Sequence, residues 1–102
     1  MIRHIVFVRM REDVDAAEIE AVLAQLAELA GVVPGMTGFV RGRNVSPEHL
    51  DRGYSHVFMC DFPDEAARDV YLDHPAHKAA AARLLAVTVG GADGLAVADF
   101  AY

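Results

Sequence analysis

An α+β fold in the order βαββαβ is what the 102-residue chain predicts, on three observations. Apolar residues alternate over Met1 to Met10 and again over Tyr54 to Phe62, which is the period of a strand. Between these stretches Ile19, Val22, Leu23, Leu26, Leu29 and Ala30 recur at helical spacing. The length, 1–102, suits a single domain with one sizeable core.

Each element has its own warrant. The first strand places Ile2, His4, Val6 and Val8 on one face and Arg3, Ile5, Phe7 and Arg9 on the other, so both faces are partly apolar. Asp15 followed by Glu18 reads as a capping box opening the first helix, and Gly31 to Gly35, with Pro34 inside it, closes that helix. Met36 to Val45 reads as a second strand in which Gly38 and Gly42 mark a bulge or a close backbone approach. Ser46-Pro47-Glu48 reads as a capped turn, and Asn44-Val45-Ser46, a glycosylation pattern by letter, reads as turn chemistry. Gly53 releases the chain into the third strand, with Tyr54, His56, Phe58, Cys60 and Phe62 on one aromatic-rich face. Pro63-Asp64 opens a short helix through Tyr71. At His74-Pro75 the proline keeps the preceding residue out of helical geometry and suits a first helical position, so a new helix runs from Pro75 to about Ala86. Leu95 to Tyr102 follows Gly90, Gly91 and Gly94 as the last strand.

With right-handed crossovers this order closes as a ferredoxin-like antiparallel sheet, strands one and three at its centre and the helices on one face. The other face then exposes Ile5, Phe7, Val57 and Met59, a patch that a soluble protein hides against a partner. A homodimer through sheet faces is expected.

Composition narrows the partners. A net charge of −6 repels a phosphate backbone, which argues against nucleic acid. The lone cysteine, Cys60, excludes an internal disulfide framework and a multi-cysteine metal site, in keeping with a reducing compartment. Arg3, His4, Arg9 and Arg11 interrupt the N-terminal apolar stretch, and the uncharged run Leu84 to Ala92 falls far short of the roughly 20 residues of a membrane span. The expected location is cytoplasmic, with no membrane partner.

The residues able to carry chemistry concentrate in Tyr71-Leu72-Asp73-His74-Pro75-Ala76-His77. The proline corner sets a phenol in the last turn of one helix beside an imidazole in the first turn of the next. Unpaired amides at a helix start disfavour a cation, so His77 is expected to be neutral and able to act as a general base. Tyr71 keeps its proton at neutral pH and can donate to a carbonyl oxygen as charge develops there. Groups of this kind contribute about 10² to 10⁴ each, enough for a reactive polyketone and too little for a hard hydrolysis. His4 and His56, inside apolar strands, point to the helix-covered face if the strands are neighbours. The same residues also fit a plain structural role, with His74 capping the second half-helix, Tyr71 filling the core and the strand histidines hydrogen-bonded inside it. Zinc at His74 and His77 is disfavoured, because Pro75 breaks the helix between them and neither Glu nor Cys accompanies the pair.

From Ile2-Arg3-His4-Ile5-Val6 through Gly42-Arg43-Asn44-Val45-Ser46, Gly53-Tyr54-Ser55-His56 and Tyr71-Leu72-Asp73-His74-Pro75-Ala76-His77 to Val97-Ala98-Asp99-Phe100, the chain resembles the stress-responsive α/β barrel (Dabb) proteins over nearly its whole length. That resemblance implies a ferredoxin-like fold whose two sheets meet as a dimeric barrel. It further implies a small-molecule site working without a cofactor or metal, in which a polyketide-like chain is closed by aldol condensation. Tyr71 would polarise or orient the substrate and His77 act as base, with His4, His56 and Asp99 in substrate-binding places. Two other functions stay open: a stress-associated structural or binding protein without catalysis, and a monooxygenase of the same dimeric architecture.

Overall fold

The computed structural model describes residues 1–102. Its elements are β1 (Ile2–Val8), α1 (Ala16–Glu28), β2 (Thr37–Arg43), β3 (His56–Phe62), α2 (Glu65–Asp73), α3 (Pro75–Ala86) and β4 (Leu95–Ala101), with short 3-10 turns at Leu29–Gly31 and Gly91–Gly94. The four strands form one antiparallel sheet in the order β2-β3-β1-β4. This is the ferredoxin-like arrangement, with β1 and β3 central.

The register decides which side chains share a face. His4 lies opposite Cys60 on one side and Asp99 on the other, while Ile5 lies between Met59 and Ala98. Ile2, Val6, Val8, Phe58, Cys60 and Phe62 therefore face the helices and join Val22, Leu23, Leu26, Tyr71, Ala80 and Leu84 in the core. Burying such side chains is worth about 1.5–3 kcal/mol each, which drives the helices onto this face alone.

Local chemistry sets the boundaries. Asp15 accepts from the Ala17 amide at 2.9 Å and starts α1. The expected capping box is only half formed, because Glu18 turns instead to Arg83 on α3 and helps tie the two helices together. Ala30, the last residue of the apolar helical repeat, is exposed in the 3-10 turn that ends α1. Asp64 caps α2 by accepting from Ala67 at 2.8 Å. His74 ends α2 in extended geometry, and its Nδ1 accepts from the Ala76 amide at 3.0 Å to start α3 at Pro75.

The strands are shorter than alternation alone suggests, since Met10 keeps only an isolated bridge to Thr88. Gly38 does mark a bulge: its φ is +63°, and a Cβ there would lie 3.0 Å from Asp61 Oδ2. Gly42 has open space around it and marks nothing. Tyr54 precedes β3 and packs on Phe7, so it belongs to the open face and not to the helix-covered one. The turn after β2 is built by Asn44, whose Oδ1 accepts from the Ser46 amide at 3.0 Å and whose Nδ2 donates to Asp51 at 2.8 Å.

Candidate functional site

Tyr71 sits in the last turns of α2 with only 1% of its surface exposed. Its ring is packed against Phe62 of β3 at 5.0 Å between centroids, His4 of β1 at 5.7 Å and His77 of α3 at 4.2 Å. The corner at His74 makes this meeting possible. It ends one helix and starts the next within a single residue, bringing the third residue of α3 back over the end of α2.

A hydrogen bond sets the tautomer of the His77 ring. His77 Nδ1 lies 3.2 Å from the Leu72 carbonyl oxygen, which can only accept, so Nδ1 carries the proton and Nε2 holds the lone pair of the neutral ring. Burial holds the His77 pKa below the ordinary imidazole value, and the neighbouring His4 and His74 push the same way against the Leu72 bond. Burial raises the Tyr71 phenol well above its ordinary value, so it stays protonated at neutral pH. Its hydroxyl donates to no group of the chain; the sealed side-chain atom without a partner is Arg9 Nε.

A second imidazole also packs against the phenol. His4 is buried, and its Nδ1 lies 2.7 Å from Asp99 Oδ1. Asp99 Oδ2 accepts in turn from Arg68 at 2.7 Å. Burial opposes the charge on Asp99, but the bonds from Arg68 and His4 outweigh it and hold the carboxyl below the usual range. Cys60 lies beside His4, and burial pushes its thiol up to about 12, which leaves it inert as a nucleophile.

The fold thus brings Tyr71, His77, His4 and Asp99 together. It does not bring His56 to them. His56 shares their face, but it pairs with Val8 and lies four residues along β3 from Cys60, about 13 Å at strand rise. Its Nδ1 meets Ser55 Oγ at 2.9 Å, and burial together with Arg43 lowers its pKa. It lines a cleft of about 780 Å³ between α1 and the ends of the central strands, with Leu23, Glu20 and Arg43 among its neighbours. None of the three principal clefts is lined by Tyr71 or His77. Arg68 was missed by sequence reasoning. Its place three residues before Tyr71 on one helix was the available signal.

The sequence pattern of the stress responsive A/B barrel domain matches residues 2–101. The stress-response A/B barrel domain-containing protein HS1 of Arabidopsis thaliana is 29% identical over 99 residues, covering 97% of this chain and 87% of that one. Olivetolic acid cyclase of Cannabis sativa is 22% identical over 76 residues, covering 74% and 75%. Among solved structures, a dimeric ferredoxin-like protein of unknown function from Jannaschia superposes with a TM-score of 0.90 at 35% identity, covering 99% of this chain and 98% of that one.

Proposed function

The chain belongs to the stress-responsive A/B barrel domain family, and from that premise we propose that it is a homodimeric, cofactor-independent catalyst of the cyclase or aldol type, acting on a small polyketide-like compound through Tyr71 and His77. One observation carries this reading: a phenol with no partner in the chain lies in ring contact with a neutral imidazole whose Nδ1 proton is already committed. The relationship to olivetolic acid cyclase supports the same class.

The chemistry follows from the two groups. His77 Nε2 takes a proton from the carbon between two carbonyls, and the Tyr71 hydroxyl donates to the oxygen on which the enolate charge grows. The enolate carbon then bonds to a second carbonyl carbon of the same molecule, and that oxygen takes the proton back from His77. Atoms and charge balance with no further reagent. Because burial raises the phenol and lowers the imidazole, each group holds the protonation state its part requires at neutral pH.

The test uses Tyr71→Phe and His77→Ala with linear polyketide thioesters, following ring closure. Each variant is expected to lose about 10²-fold or more in rate. Full turnover in both would overturn the assignment. Tyr71→Phe is informative because the hydroxyl has no partner to lose, so its stability should change by less than about 1 kcal/mol.

The close packing of Tyr71, and the absence of Tyr71 and His77 from the three principal clefts, favour a second reading, a structural or binding protein whose polar core merely completes the fold. Melting curves with and without small apolar ligands separate the two, since a ligand that binds the folded state raises the melting temperature with its concentration.

A further inference from the structure

His4, Asp99 and Arg68 form a chain of charge-assisted hydrogen bonds that ends against the Tyr71 ring. The distances are 2.7 Å from His4 Nδ1 to Asp99 Oδ1 and 2.7 Å from Asp99 Oδ2 to Arg68 Nη1. Arg68 precedes Tyr71 by three residues on α2, so both side chains leave the same face of the helix and reach the sheet together. Its Nε is held in addition by Asp69 at 2.9 Å, which fixes the guanidinium plane from the solvent side. Both partners of the Arg68–Asp99 pair are largely shielded, with side chains 19% and 21% exposed, so water screens the pair far less than a surface one.

The consequence falls on His4. An ionised carboxylate oxygen only accepts, so a carboxylate fixed on Nδ1 makes Nδ1 the protonated nitrogen, and in the neutral ring that leaves Nε2 the lone pair. With Oδ2 released, the Asp99 carboxylate could rotate, and nothing else on the ring would choose between the tautomers. His4 meets Tyr71 edge to face at 66° between ring planes. The phenol therefore meets two imidazoles that have each committed Nδ1–H, one to Asp99 and one to the Leu72 carbonyl.

We propose that Arg68 is a positioning residue of this site: by gripping the outer oxygen of Asp99 it fixes His4 in the Nδ1–H form, so that both imidazoles in ring contact with Tyr71 keep a free Nε2. The meaning of the arrangement rests on the reading of Tyr71 and His77 as the reacting pair. It gives that pair a second imidazole, backed by a carboxylate.

The experiment is two-bond ¹H–¹⁵N correlation spectroscopy of the histidine rings in ¹⁵N-labelled protein at about pH 8, where an ordinary imidazole is neutral. In the wild type, His4 is expected to show a protonated Nδ1 and a bare Nε2. Arg68→Gln should move both His4 nitrogens toward values averaged over two tautomers, and Arg68→Lys, which keeps a cation within reach of Asp99, should return most of the change. The His77 nitrogens should stay in place throughout. Wild-type His4 carrying its proton on Nε2 overturns the proposal without any variant being needed. Unmoved His4 nitrogens in Arg68→Gln also overturn it, as does an equal movement of His77, which would mark lost helix packing instead of a lost carboxylate grip. No substrate enters these spectra, so a failure here leaves the ring-closure assay of Tyr71 and His77 standing, and a failure there leaves the Arg68 result standing.

Discussion

At the scale of the residue, His77 is held neutral chiefly by burial, and His56 is held neutral by burial and Arg43 in a different part of the molecule. For both, the folded-state pKa lies below the unfolded one. Between those two values the unfolded chain binds more protons than the native one, so stability rises with pH through that window and is lost as pH falls below about 6.5. The melting temperature should therefore drop between about pH 7 and pH 5, and less steeply in His77→Gln, as calorimetry over that range would record. An equal slope in the variant would mean that His77 is not shielded as described. Which residues touch was legible only in part. That Tyr71 and His77 meet follows from the proline between them, because Pro75 can start a helix but not continue one. That His56 stays away does not, because its parity along the strand is right and only the pairing of Val8 with His56 shows the offset.

At the scale of the element, α2 carries the site, since Arg68 and Tyr71 both leave it toward the sheet. The helix is a short one, nine residues from Glu65 to Asp73, so its ends count for more than they would in a longer helix. Asp64 satisfies an otherwise orphaned amide at Ala67. Asp64→Ala is expected to cost about 1 kcal/mol in urea unfolding and to loosen the ring contacts of Tyr71, which near-ultraviolet circular dichroism would follow. Asp64 announced itself in the sequence as a capping residue beside a proline. The role of Arg68 did not, because an arginine on an amphipathic helix is ordinarily solvated, and its partner lies on a strand whose register only the folded sheet reveals. Glu18 failed as a capping-box residue for a related reason: a distant arginine on α3 outcompetes the local amide.

At the scale of the whole molecule, the helices leave one side of the sheet bare. Phe7 is 37% exposed there, beside Ile5, Val57, Met59 and the exposed Val40. The superposed Jannaschia protein is described as dimeric, and the homodimer proposed above would hide this face. Phe7→Asp should weaken association by about 2 kcal/mol or more, about 30-fold in dissociation constant, while the monomer keeps its fold because Phe7 belongs to no buried cluster. Sedimentation equilibrium at micromolar concentration checks this, and a variant as dimeric as the wild type would place the interface elsewhere. No helix is long and apolar enough to cross a membrane.

The joint at His74 has one more effect, on how the chain can vary. Because one residue ends α2 and opens α3, no slack separates the two helical phases, and a single residue added just after Pro75 would turn His77 by about 100° around the α3 axis. His77 would then be carried off the phenol even with every letter of the segment preserved. The surface turn between Asn44 and Gly53 is under no such constraint. Insertions there should be absorbed, while the stretch from Tyr71 to His77 should admit exchange at its exposed Leu72 and Asp73 but no change in its count.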